Sequence, residues 1–277
     1  EAYDERVLEA AVKLSATSYV QPVLVGKRER VEEIAQPLFL NVSGIEFVDH
    51  ENYEKYDEML AKFIERRAGK VTEEKARALL KDVNYFGTML VYMGEVAGLV
   101  SGAIHSTGDT VRPALQIIKT LPWVSRTSGA FLMVRGDERY VFSDCAINID
   151  PDAKTLAEIA INSALTAQIF DIDPKVAMLS YSTKGSGFGE KVDKVVEATK
   201  LAQEMRPDLA IDGELQFDAA IVPSVGEQKA KGSNVAGHAN VFIFPDLQSG
   251  NIGYKIAQRL GGFEAIGPIL QGLNKPI

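Results

Sequence analysis

Directly behind the apolar run Asn240-Val-Phe-Ile-Phe244, the segment Asp246-Leu-Gln-Ser-Gly-Asn-Ile-Gly-Tyr-Lys255 gathers Ser249, Asn251 and Lys255 around two glycines. An acid, an amide and a lysine at the start of a helix, with glycines that let the backbone come close to a ligand, favour a binding or catalytic role over simple capping. A second concentration is Ser101-Gly-Ala-Ile-His-Ser-Thr-Gly-Asp-Thr-Val-Arg112-Pro-Ala-Leu-Gln116, which offers hydroxyls, backbone N–H groups and one guanidinium to a single anion. That is the inventory of a phosphate-type site, and the same residues also suit helix capping by Ser106, Thr107 or Asp109; spacing alone leaves both readings open.

Other groups are weaker. His105 by itself reads as a hydrogen-bonded structural histidine, and Arg6, Arg66 and Arg67 as solvated surface charges that an anionic ligand could recruit. Lys184-Gly-Ser-Gly-Phe-Gly-Glu-Lys191 matches neither the G-x-G-x-x-G nor the Walker pattern, so it reads as a flexible strand-to-helix connection. The acids of Asp212-Gly-Glu-Leu-Gln-Phe-Asp218 could hold a divalent metal, but with no histidine near them capping by Asp218 and solvation of Asp212 and Glu214 are the better account. No metal site is expected.

What must position these groups is a chain of 277 residues, 46% hydrophobic, long enough to bury a core at the size where one core tends to become two. A net charge of −8 and a pI near 5.1 argue against a nucleic-acid or anionic-membrane surface. The single cysteine, Cys145, excludes an internal disulfide and a Cys-rich zinc site, and suggests the cytoplasm. The most apolar stretch, Phe86 to Ile104, is interrupted by Glu95 and glycines, too polar for a spanning helix, and the first residues lack a signal-peptide layout.

Helical and strand periodicities alternate throughout, which predicts an α/β protein. Val7, Leu8, Ala11 and Leu14 form one helical face; Pro22 to Gly26 and Ile45 to Val48 read as strands. Helical patterns cover Asn52 to Arg67 and Thr72 to Met93, followed by a strand from Gly98 to Ile104. Phe131 to Val134 and Tyr140 to Ser143 read as an antiparallel pair, and Asp150-Pro151 as the start of a helix running to about Phe170. Then come strands at Lys175 to Tyr181, Leu209 to Ile211 and Asn240 to Phe244, and helices at Val192 to Met205 and Ile252 to Leu260. A domain change is expected near Leu121 to Ser125.

Taken together, Asp82-Val-Asn-Tyr-Phe-Gly87, Ser101-Gly-Ala-Ile-His105, Asp109-Thr-Val-Arg-Pro-Ala-Leu-Gln-Ile-Ile-Lys-Thr120, Met178-Leu-Ser-Tyr-Ser-Thr-Lys-Gly-Ser186, Asp212 to Pro223 and Phe242 to Pro276 closely resemble the phosphate acetyltransferases, in the same order over essentially the whole chain. The resemblance implies reversible transfer of an acetyl group between acetyl phosphate and coenzyme A. It also implies two α/β domains of the isocitrate and isopropylmalate dehydrogenase type with the site in the cleft between them, and a homodimer. Domain I would be residues 1–124, completed by 274–277, and domain II residues 125–273. Arg112, Arg6 and Arg66 match active-site arginines, Ser106 and Thr107 the cleft hydroxyl loop, and Asn251 and Lys255 the Gly-Asn-Ile-x-Tyr-Lys motif. Of these, Arg112 and Ser106 are the expected catalytic residues, and Arg6, Arg66, Thr107, Asn251 and Lys255 the expected substrate ligands. Coenzyme A or acetyl-CoA, acetyl phosphate and phosphate are substrates; no resident cofactor is implied. Arginine forks would grip the phosphates, while donors stabilise the oxyanion that forms when the thiolate attacks.

The chain departs from the family in ending at Ile277, ahead of an Asn-Asp-Leu-Ser-Arg-Gly segment and a following aspartate, and in lacking the strand before Asp4-Glu-Arg6. The expectation is a fragment of the enzyme, without measurable transfer by itself. Two alternatives accompany the acetyl reading: a butyryl-specific transferase, and a non-catalytic acyl-CoA-sensing domain that lacks the Ser-Arg-Gly segment natively. A nicotinamide-dependent decarboxylating dehydrogenase would rest on fold alone.

Overall fold

The computed structural model describes all 277 residues, which form two compact units: residues 1–119 with 273–277, and residues 120–272. The changeover falls at Lys119-Thr120, where Lys119 adopts a left-handed backbone and its N–H closes on the Ala114 carbonyl.

In the first unit, β1 (Val23–Val25) and β2 (Glu46–Val48) pair in parallel among six helices: α1 (Glu5–Ser15), α2 (Arg28–Ala35), α3 (Tyr56–Arg67), α4 (Glu73–Leu79), α5 (Val83–Met93) and α6 (Thr107–Ile117). Helix α5 is buried along nearly its whole length and packs with α3, α4 and α6 around Phe63, Phe86 and Met89. The single helix expected over Thr72 to Met93 is two helices. Asp82 interrupts it by accepting from the Asn84 and Tyr85 amides, a cap strong enough to restart the helix. Nor is Gly98 to Ile104 a strand: Leu99 makes one backbone bond, to the Pro276 carbonyl, and Gly102 turns the chain at φ +104.

The second unit is a six-stranded sheet in the order β6-β5-β7-β4-β3-β8, made of β3 (Ser128–Arg135), β4 (Glu138–Ser143), β5 (Lys175–Leu179), β6 (Ala210–Leu215), β7 (Val241–Ile243) and β8 (Glu264–Gln271). Strands β4 to β7 are parallel, and β3 runs against both β4 and β8. The two-residue side-chain period sorts the strands onto two cores. Ala130, Leu132, Val176, Met178 and Val241 meet α7 (Ala153–Ile169) and α8 (Glu190–Met205) on one face. Phe131, Met133, Ala177, Leu215 and Phe242 lie on the other, with α9 (Phe217–Ile221), α10 (Pro223–Lys229) and α11 (Leu247–Arg259). Burying a side chain the size of Phe242 contributes about 2 to 3 kcal/mol.

Two details differ from the sequence reading. Helix α7 is capped by Asp152, which accepts from the Thr155 amide, while Asp150 is free to pair with Lys191 and Lys194. Asp218 is not the N-cap of α9, which is Gln216: it lies in the first turn, where it accepts from the Ala219 amide at 2.9 Å, and pairs with Lys229.

Candidate active site

In the first unit the loop 101–106 delivers the expected hydroxyls to the start of α6. Ser106 is its N-cap: the Asp109 amide donates to Ser106 Oγ at 3.2 Å, and Ser106 Oγ donates to Asp109 Oδ2 at 2.7 Å. The Ser106 hydroxyl, with Arg112 behind it, holds the Asp109 carboxyl below its ordinary range. Arg112 stands on the exposed side of the helix and donates to Asp109 Oδ1 at 3.2 Å through Nη1. Its Nε and Nη2 edge, the one that grips an oxyanion bidentately, has no protein partner. Beside it an open depression of about 390 Å³ is lined by Gly108, Val111, Arg112, Leu115 and Gln116. Thr107, exposed in the first turn, adds a hydroxyl where the helix dipole favours negative charge.

Arg6 belongs to the same cluster. It is gripped bidentately by Asp4, the N-cap of α1, and its Nη2 donates to the Ala103 carbonyl at 2.9 Å. Arg66 stands apart. Its Nε and Nη2 donate to the carbonyls of Ile117 and Ile118 at 2.6 and 3.0 Å, at the opposite end of α6 from Ser106, and its guanidinium lies over the Tyr92 ring. A second depression in this unit, of about 360 Å³, is lined by Glu46, Asp49, Glu54 and Glu95, with Lys55 already paired to Glu95. Its charge is wrong for a phosphate.

In the second unit, α8 follows β5 on one face and α11 follows β7 on the other, so their loops diverge at the carboxyl ends of adjacent parallel strands. Open α/β sheets bind ligands at such a switch point. Asp246 caps α11 by accepting from the Ser249 amide. Asn251 Nδ2 donates to the Cys145 carbonyl at 3.1 Å, and Lys255 Nζ donates to Asn251 Oδ1 at 2.7 Å. The loop that offers this carbonyl is organised by buried Asp144, which accepts from the amides of Gly129, Ala146, Ile147 and Asn148. Cys145 itself is buried, and desolvation pushes its thiol up, so it has no nucleophilic character.

The acids near 212 hold the glycine run in place. Lys184 pairs with Asp212, and Glu214 accepts from the Gly185 amide at 2.7 Å and from Ser182 Oγ at 2.9 Å. Sequence spacing missed the residues that brace the first cluster. Asp4 and Asp109 are each within three positions of the arginine they hold, a signal that could have been read; Glu1 carried none. Its side chain is 3% exposed, with His105 Nδ1 donating to its carboxylate at 2.5 Å. Burial pushes the Glu1 carboxyl upward, but the His105 bond and the amides of Ala103 and Ile104 outweigh it and hold the pKa down at about 2.

Fold and site thus define an α/β protein whose α6 start carries exposed side chains, Thr107 and Arg112, of the types that hold an oxyanion. The Phosphate acetyl/butaryl transferase family model matches residues 1–277. A phosphate acetyltransferase of Bacillus subtilis is 58% identical over 277 residues, 100% of this chain and 86% of that protein. Among solved structures, a phosphotransacetylase from Staphylococcus aureus superposes with a TM-score of 0.93 at 60% identity, covering 100% of this chain and 85% of its own. One from Streptococcus pyogenes superposes at 0.94 with 61% identity, covering 100% and 84%. The chain belongs to the phosphate acetyl/butyryl transferase family, and it is an acyltransferase.

Proposed function

We propose that the protein catalyses the reversible reaction acetyl-CoA + phosphate = CoA + acetyl phosphate, in the cytoplasm and as a homodimer. The observation that carries the site assignment is the unpartnered Nε and Nη2 edge of Arg112 beside Thr107 at the start of α6, in a chain 58% identical to a phosphate acetyltransferase. In the direction of acetyl-CoA synthesis, the thiolate sulfur of coenzyme A forms a bond to the acetyl carbon and the carbonyl becomes an oxyanion. The bond from carbon to the phosphate oxygen then breaks, and phosphate leaves with the electron pair. Arg112 and Thr107 hold the phosphate, with the remaining Nη1 of Arg6 supplying further positive charge. Ser106 keeps α6 and Asp109 in register through its cap. Asn251 and Lys255 serve the phosphates of coenzyme A, and Arg66 acts through α6, whose terminal carbonyls it satisfies. The partners are thus small anions; with a net charge of −8 neither nucleic acid nor a membrane surface is among them, and no helix is long and apolar enough to cross a membrane.

The assay is phosphate-dependent loss of the thioester, run with acetyl-CoA and butyryl-CoA on protein expressed from its complete reading frame. Acetyl-CoA should be preferred by about tenfold or more in kcat/KM, the range that extra methylenes command in a fitted pocket. Equal or better use of butyryl-CoA would favour the butyryl transferase, and thioester binding without turnover would favour a sensing domain.

Support for the homodimer comes from α11, where Ile252, Ile256 and Leu260, spaced at one turn, are 57, 53 and 85% exposed, and from β8, an edge strand with Ile266 also exposed. Such a stripe beside an open strand edge is poorly suited to water. Light scattering should give a dimer mass for the wild type and a monomer for Leu260→Asp; a wild-type monomer at micromolar concentration would dismiss this part of the proposal.

A further inference from the structure

Glu1 is the one buried carboxylate of the first cluster that the reaction itself does not employ. It gathers the amides of four successive residues: Gly102 N and Ala103 N donate to Oε2 at 2.9 and 2.8 Å, and Ile104 N and His105 N donate to Oε1 at 3.2 and 3.3 Å. The His105 ring adds a fifth donor through Nδ1. An ionised carboxylate can only accept, so Nδ1 carries the proton of that bond and Nε2 faces away from it. Consecutive amides aimed at one point form an anion-binding concavity, and here the anion is supplied by the protein. Without it, aligned N–H dipoles repel one another and the segment relaxes.

The segment so held is the one that places the phosphate-binding groups. Ser106, the cap of α6, follows His105 directly, and Arg6 donates to the Ala103 carbonyl in the middle of the same turn. One carboxylate therefore holds the turn that both leads into the α6 start and receives the Arg6 bond.

We propose that Glu1 is a positioning residue for acyl transfer: its carboxylate acts as a built-in counter-anion that clamps residues 102–105 and so sets the oxyanion-binding geometry of Arg6, Thr107 and Arg112. This rests on the acetyl-transfer reading of the same site, and the experiment separates the two. Glu1→Gln keeps size and shape, but its NH2 must face either the Gly102 and Ala103 amides or the Ile104 and His105 donors, so at least half of the clamp becomes donor against donor.

The test uses wild type and E1Q expressed from the complete reading frame. It follows amide exchange of residues 102–105, affinity for inorganic phosphate by calorimetry, and KM and kcat. In E1Q these amides should lose protection, and phosphate affinity should fall by about tenfold, the scale of one charge-assisted hydrogen bond. The KM for phosphate should rise in step. A merely structural role would instead lower the melting temperature and the active fraction, leaving phosphate affinity unmoved. Should E1Q fail to fold, E1D keeps the charge one methylene short and should give an intermediate loss of about threefold in phosphate affinity. Unprotected amides in the wild type overturn the proposal, as does phosphate affinity within error of wild type in the variant that folds. A wild type with protected amides and a phosphate affinity that E1Q weakens, but no acetyl transfer, sinks the acetyl reading and leaves the clamp standing.

Discussion

Replacing Arg112 with alanine is expected to lower kcat/KM for acetyl transfer by about a thousandfold, the cost of deleting a principal donor to a developing oxyanion. The fold should hardly notice. Arg112 is exposed, its one ion pair is with Asp109 at 3.2 Å, and solvent screens surface pairs of this kind so that they contribute little to stability. The thermal midpoint of Arg112→Ala should therefore lie close to that of the wild type, so the loss can be assigned to the reaction. Arg112→Lys retains the charge but not the two-pronged edge, and should recover only about a tenth of the activity. Thioester formation from acetyl phosphate and coenzyme A, followed alongside melting curves, tests both statements. Wild-type turnover in Arg112→Ala would remove this residue from the site and leave the start of α6 as an ordinary capped helix.

Gly250→Ala should have the largest effect on stability. A Cβ at Gly250 would stand 2.2 Å from the Asp144 carbonyl oxygen and 3.3 Å from Phe244 Cβ, so helix α11 is seated directly against backbone. Backbone cannot rotate out of the way as a side chain does. Overpacking of this severity costs about 3 kcal/mol or more. As α11 is displaced, the Asn251 bond to the Cys145 carbonyl and with it Lys255 should move, so activity falls in the molecules that still fold. Gly253→Ala is the matched control: its Cβ would meet the Phe244 ring at 2.9 Å, and the ring can shift, for a cost of about 1 kcal/mol. Urea unfolding of the two variants should rank them clearly. A Gly250→Ala protein as stable as the wild type would show that α11 does not sit on the Asp144 loop.

Much of the scaffold was legible because it depends on local burial. The apolar runs at Val23 to Val25, Lys175 to Leu179 and Val241 to Ile243 are strands, and the 3.6-residue patterns that became α3, α8 and α11 are helices. Misreadings arose where one residue type serves two purposes. The helical pattern from Thr72 to Met93 runs straight through Asp82, whose side chain instead caps a new helix by accepting from the Asn84 and Tyr85 amides. Asp150 and Asp152 flank the same proline, and only the lysines of α8 decide which of them is left to cap α7. Strand β8 went unread because Gly267 and Pro268 look like a break; an edge strand tolerates proline, since the missing N–H is on a side that need not pair.

The sequence by itself determined the α/β class, the types of residue available to hold an anion, and membership of a family of acyl-phosphate transferases, because periodicity, composition and long ordered motifs all survive in one dimension. Tertiary structure alone decided how those residues are used. It spent Arg66 on the end of α6, turned Asp212 and Glu214 into anchors for a glycine loop, and brought Glu1 onto a turn a hundred residues away. No spacing rule encodes such pairings. A long closure loses chain entropy that local sequence cannot offset, and it takes the packing of the whole unit, around Phe63, Phe86 and Met89 and around Ala2, Leu8 and Leu24, to make the meeting of Glu1 with residues 102–105 favourable.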